Sequence, residues 1–195
     1  MKRRTKAPLS VILAAIPVLA QGPVKYPVYT ILRDRSSVTF YVKASLDLRG
    51  AFDKWDTTLT CASTDPASCV LNIKVQAASV NTGSGMKDGK LKSKDFFDVK
   101  ENPLITFKST KVEQTGPHAF KVIGVFTIRG ISKPETLTLA NTREADGGDV
   151  PGQMAFDRRE YGMNHGIPFI KIADRVEVNV DLKARRSGPP LDLKQ

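Results

Sequence analysis

Any chemistry in this chain must come from its carboxylates, its histidines or its cysteines. Asp88, Asp95, Asp98 and Asp157 are four of its 20 acidic residues. Two carboxyls brought together can do paired acid–base work, but nothing in the spacing of these four brings any two to one point. The two histidines, His118 and His165, each sit beside a proline or a glycine, as turn residues do. Neither has a partner at HxH, HxxxH or HExxH spacing, and the cysteines lie far from both, so no metal site is expected. No GxSxG elbow and no GxxxxGK[ST] loop occurs. The stretch "GSGMKD" begins like a dinucleotide fingerprint. It has Asp88 where the third glycine belongs and leads into no βαβ unit, so Gly83 and Gly85 read as loop glycines. No catalytic residue is assigned, and no cofactor is required.

The cysteines have a structural use. Cys61 and Cys69 bracket "ASTDPAS", a run of small and turn-forming residues. An even count in an exported protein invites a bridge across the base of that loop. Closing so short a loop contributes about 2–3 kcal/mol, a staple for one hairpin. Export itself is read from the start. "MKRRTK" carries four positive charges and no acid, "APLSVILAAIPVLA" carries no charge, and Val18 and Ala20 precede a cut before Gln21. That is the layout of a cleavable signal peptide over residues 1–20. The apolar run is too short, and too broken by Pro8 and Pro17, for a good spanning helix. Removing Lys2, Arg3, Arg4 and Lys6 lowers the formal charge of +10 by four. The remaining basic residues are interleaved with acids except in the tail, so no nucleic-acid partner is expected.

The elements that must position any site read as strands. In "SSVTFYVKA", Val38, Phe40 and Val42 share one side; in "RVEVNVDLKA", Val176, Val178, Val180 and Leu182 do. This period of two gives one buried and one wet face. "CVLNIKVQA" places Ile73 and Val75 together, and "PLITFKST" does the same for Ile105 and Phe107. The long run "AFKVIGVFTIRG" carries Phe126 and Ile128, "KPETLTLANT" carries Leu137, and "GQMAFDRREYG" is a further strand candidate. Turn signals such as "TDPAS", "EQTGPH" and "ADGGDVPG" separate the runs. About eight strands joined by hairpin-length links close most easily into an antiparallel barrel or a sandwich, which also removes exposed edges. The interruption from Ser79 to Asn102 holds no alternation; a short helical connector is expected around residues 86–100, with Met86, Leu91 and Phe97 inward. Segments this long are often lids or binding loops. A closed barrel of about eight strands is wide enough to hold one small ligand. Periodicity alone leaves open whether Val38, Phe40, Ile73, Phe107, Phe126 and Val178 fill the interior or line a cavity.

The segment "SVNTGSGMKDGKLKSKDFFDVKENPLITFKSTKV" resembles the central signature of the YceI-like family. It matches at Ser79, Val80, Thr82, Gly83, Asp88, Leu91, Ser93, Asp95, Phe96, Phe97, Asp98, Pro103, Ile105, Phe107, Ser109 and Thr110. "GVFTIRGISKPETLTL" resembles a second family stretch at Gly124, Thr127, Ile128, Arg129, Gly130, Lys133 and Pro134, and "FDRREYGM" a third at Arg158, Glu160, Tyr161 and Gly162. The resemblance covers about residues 30 to 185. It implies an all-β, eight-stranded, lipocalin-like antiparallel barrel over residues 28–186, with a flexible tail at 187–195, exported to the periplasm. It further implies a hollow interior holding an isoprenoid lipid, either a polyprenyl lipid or a quinone tail, without catalysis. The cavity wall would then be Val38, Phe40, Val42, Ile73, Val75, Leu91 and Phe96, continued by Phe97, Ile105, Phe107, Phe126, Ile128, Leu137 and Val178. Asp88, Lys90 and Arg158 would meet a polar head at the mouth. Many relatives carry histidine where this chain has Ala44 and Lys90. An enzyme acting on an apolar molecule, or a filled barrel serving as a stress-response module, are the alternatives. Transient contact with a membrane or membrane protein, and a homodimer, are left open.

Phe96 and Phe97 are adjacent, so their side chains must diverge. One is expected to face the interior and the other to anchor the connector to the outer wall.

Overall fold

The computed structural model describes residues 26–27, 29–140, 147–166 and 170–193. The expected signal peptide lies outside them. The described chain is built from antiparallel strands and one short helix. The strands are β1 (Tyr26–Pro27), β2 (Tyr29–Ile31), β3 (Ser37–Ala44), β4 (Leu48–Phe52), β5 (Trp55–Cys61) and β6 (Cys69–Gln76). After β7 (Val80–Asn81) and the helix α1 (Gly85–Lys92) come β8 (Leu104–Gly116), β9 (Ala119–Ile128), β10 (Ile131–Ala140), β11 (Gly147–Asp157) and β12 (Ile172–Arg186).

One strongly curled sheet contains them all, in the order β1-β5-β6-β8-β9-β10-β11-β12-β3-β4-β7, with β2 alongside β12. Among the described residues twelve strand segments therefore stand where about eight were expected. The additional ones are short: β1, β2 and β7 have two or three residues each and carry no readable alternation. They matter for closure. β1 pairs with β5 at Thr60 and Cys61, and β2 pairs with β12 at Ala184–Arg186, so the two short strands attach to different limbs of the sheet. At the opposite end, backbone bonds tie the two limbs where β4 hands over to β5. Asp53 N–H donates to Ser79 O, and Gln76 N–H donates to Lys54 O.

The alternation works as the sequence reads. In β9, Val122, Gly124, Phe126 and Ile128 are buried. Gly124 is required there, because a Cβ would sit 2.6 Å from both the Phe107 ring and Lys108 O. The register of β8 against β9 shifts between Ser109 and Lys111 and again between Gln114 and Gly116, and the buried side of β8 changes at the first shift. The buried Ser109 hydroxyl then accepts the Leu71 N–H at 2.8 Å, so that donor stays paired beside the shift.

α1 is shorter than the connector expected over 86–100. Ser93 N–H donates to Lys90 O, Phe97 N–H to Leu91 O and Asp98 N–H to Ser93 O, with Asp98 at a positive φ of 50°. These bonds end the helix at Lys92 and wind the following residues into turns. Met86 is not inward as expected but 87 % exposed, while Leu91 is buried.

Cys61 and Cys69 form a disulfide across directly paired positions of β5 and β6. Beyond Arg186 the chain folds back over that end of the sheet. Asp192 N–H donates to Thr64 O at 2.8 Å, and Leu191 packs on the core. The segment expected to be a tail is thus held at Leu191 and Asp192.

Candidate ligand-binding cavity

The inward faces do not meet. They enclose a cavity of about 450 Å³ toward the α1 end, within the roughly 300–1,000 Å³ of ligand pockets. Every apolar position expected at its wall lies on it. β3 contributes Val38, Phe40 and Val42; β6 contributes Ile73 and Val75; β8 contributes Ile105 and Phe107. β9 adds Phe126 and Ile128, β10 Leu137, β12 Val178, and the connector Leu91, Phe96 and Phe97. A second, smaller void of about 80 Å³ sits at the disulfide end, where Leu191 and Leu193 cover it.

Both phenylalanines of the pair are buried and both border the cavity, so neither anchors to the outer wall. They diverge sideways instead. Phe96 lies under the Lys90 ammonium at 5.9 Å, and the Phe97 ring lies 5.9 Å from Phe52. The turn at 93–98 swings Phe96 over the mouth and leaves Phe97 against the wall. Phe97, Phe52 and Phe40 form one aromatic cluster; Phe126, Phe156 and Tyr161 form another, with ring centroids 5.0–5.4 Å apart. Tyr161 is fully buried and donates its hydroxyl to Glu135 at 2.9 Å. Burial, then that bond, pushes its phenol well above the ordinary range.

The three polar residues expected at the mouth have different fates. Lys90 lines the cavity, and its ammonium meets Asp95 at 2.6 Å. That hydrogen bond holds the Asp95 carboxyl below the usual aspartate range. Asp88 does not line the cavity. It accepts hydrogen bonds from the Thr82 hydroxyl and backbone N–H, and so fixes the entry to α1; the hydroxyl bond is the main reason its pKa is lowered. Arg158 lines the cavity, but its guanidinium is engaged behind the wall. It donates to the carbonyls of Ala173, Met163 and His165 and pairs with Asp174 at 3.1 Å. A buried arginine so occupied orients the chain between β11 and β12 and has little left for a ligand head. The mouth also holds Lys87, which sequence reasoning missed. Ala44 and Lys90 both lie on the cavity wall.

Other wall residues were missed too. Met154 and Phe156 stand two apart in β11, in line with Arg158, so a period-two signal was available. Phe52 closes the short β4, and Met163 and Ile172 flank an aperiodic loop, where no such signal exists. Among the described lining residues none is a carboxylate, histidine, serine or cysteine; the polar members are Thr106, Lys87, Lys90 and Arg158.

A curled antiparallel sheet around an apolar cavity, with one helix across its mouth, defines a lipocalin-like barrel. The chain belongs to the YceI-like family, whose YceI-like domain matches residues 29–184. A UPF0312 protein of Pseudomonas savastanoi pv. phaseolicola is 32% identical over 105 residues, 54% of each chain. A UPF0312 protein of Yersinia pestis is 36% identical over 90 residues, 46% of each. The chain therefore spans about half the length of the curated relatives it matches. Among solved structures, Burkholderia cenocepacia BcnA superposes with a TM-score of 0.72 at 22% identity, over 79% of this chain and 99% of that one. A polyisoprenoid binding domain from Saccharophagus degradans superposes with a TM-score of 0.63 at 14% identity, over 83% and 100%. At those identities the likeness is one of fold.

Proposed function

We propose that the protein binds a long isoprenoid chain, a polyprenyl lipid or a quinone tail, in the 450 Å³ cavity and carries or sequesters it without chemical change. The observation that carries this reading is the wall itself, which is apolar apart from Thr106 and the engaged Arg158, with Lys87 and Lys90 at its mouth. Apolar burial contributes roughly 0.8 kcal/mol per CH₂, so a few isoprene units have ample reason to leave water. Lys87 and Lys90 stand where a phosphate or quinone head would emerge. The polyisoprenoid-binding neighbour of the same fold supports the ligand class. The lack of a carboxylate, histidine, serine or cysteine on the described wall favours binding over catalysis. The disulfide favours an oxidising compartment, which for an exported bacterial chain is the periplasm.

The test is an organic extract of protein purified from bacteria, read by mass spectrometry, with titration of the stripped protein by polyprenyl phosphate and by ubiquinone. A stoichiometric isoprenoid, or saturable uptake of either probe, is expected. Empty protein that takes up neither overturns the reading.

A further inference from the structure

The rim of the cavity carries two exposed apolar tips. Leu46, in the turn between β3 and β4, is 71 % exposed, and Met86, in the first turn of α1, is 87 % exposed. They are far more exposed than any other large hydrophobic residue described, the next being Leu104 at 46 %. Both border the cavity, so they stand at one mouth although forty residues apart in the chain. A single exposed apolar side chain needs no explanation. Two at the entrance of an apolar cavity do.

The charges around them have one sign to spare. Lys87 and Lys90 border the mouth, and Lys43 adjoins Ala44, itself on the wall. Lys171 is fixed beside the Leu46 turn, because its N–H donates to the Ser45 hydroxyl and its carbonyl accepts the Ser45 N–H. Three carboxylates at this end, the exposed Asp47 and the half-buried Asp88 and Asp95, stay ionised on hydrogen-bond partners, against the four lysines Lys43, Lys87, Lys90 and Lys171. Asp47 accepts from the Tyr41 hydroxyl and Ala44 N–H, Asp88 from Thr82, and Asp95 from Lys90, with His165 3.8 Å away. Lys87 has no ion pair among the described residues. Apolar tips ringed by lysines are the chemistry that settles at the headgroup–acyl boundary of an anionic bilayer. Among the described residues no helix is long and apolar enough to cross a membrane, so such a contact is peripheral.

We propose that this rim docks on anionic phospholipid bilayers, with Leu46 and Met86 inserted below the headgroups and Lys43, Lys87 and Lys171 against lipid phosphates. The docked mouth then faces the bilayer, and an apolar chain passes between membrane and cavity without crossing water. That last consequence rests on the isoprenoid reading; the docking itself does not.

Flotation of the purified protein with vesicles tests it. Vesicles of equal phosphatidylglycerol and phosphatidylcholine should carry the protein upward, with at least fivefold less on pure phosphatidylcholine or in high salt. The double variant Leu46→Asp, Met86→Asp, checked for an unchanged thermal midpoint, should lose at least tenfold. In a second arm, Met86→Trp should show quenching by bromine-labelled lipid, whereas the native Trp55, the sole tryptophan and buried, should not. Equal flotation of variant and native protein, or an unquenched Trp at 86, overturns the proposal. So does a native dimer that the double variant turns to monomer with no vesicle binding in either, which would make the rim an interface between two copies. Docking by protein that never takes up an isoprenoid would remove the carrier reading and leave the rim proposal intact.

Discussion

Arg158 and Lys90 both border the cavity, yet their cations do different work. The Arg158 guanidinium serves three backbone carbonyls and Asp174 from a buried position. Arg158→Met strands those acceptors and should cost about 3 kcal/mol of unfolding free energy. Lys90 is partly exposed at the mouth, where an ion pair contributes at most about 1 kcal/mol. Lys90→Ala should leave the denaturation midpoint nearly unchanged and weaken the uptake of an anionic polyprenyl phosphate more than that of a quinone. Phe96 and Phe97 are expected to behave alike, because both are buried and both face the cavity. Each Phe→Ala change should cost about 3 kcal/mol and reduce retention of a bound isoprenoid. A variant that loses stability but keeps the ligand would show that its ring is structural only. The pair was visible in the sequence; that both rings border the cavity was not. Divergence of adjacent side chains is a property of regular backbone, and the turn with Asp98 at a positive φ breaks that regularity.

The elements around the mouth set an acid limit. Asp47, Asp88 and Asp95 are all held below the ordinary aspartate value, chiefly by hydrogen bonds from Tyr41, Thr82 and Lys90 in turn. A depressed folded pKa contributes stability that is present above the unfolded value, about 4. That stability is lost as pH falls through the folded values. The thermal midpoint should therefore be level in this respect from pH 7 to about 5 and drop below about 4, less steeply in Thr82→Val, in which Asp88 has already lost its hydroxyl donor. At the far end, Leu191 and Leu193 cover the 80 Å³ void. Ending the chain at Arg186 should cost about 2 kcal/mol of apolar burial, read as a lower denaturation midpoint. Long strands such as β9 and β12 were legible because ten or more residues repeat the same alternation. β1, β2 and β7 were not, since two or three residues cannot show a period and their pairing is decided by closure of the sheet. The Asp88 bonds were equally hidden: its partner Thr82 is six residues away across a turn whose shape comes from Gly83 at positive φ.

The whole molecule is a sheet that curls without filling itself. The alternation of its strands shows which side chains face inward, but whether inward-facing side chains touch depends on curvature, which no single strand encodes. Gly50 illustrates this. A Cβ there would collide with the Phe40 ring at 2.5 Å, so the ring leans over its own sheet and leaves the centre clear. The space so created is bounded almost wholly by carbon. Water inside it would find few hydrogen-bond partners and would be poorly held. A ligand that enters displaces poorly held solvent and gains dispersion contacts with the wall. Calorimetry should then record heat released near 25 °C together with a negative heat-capacity change, in place of the entropy-driven uptake usual for a greasy solute.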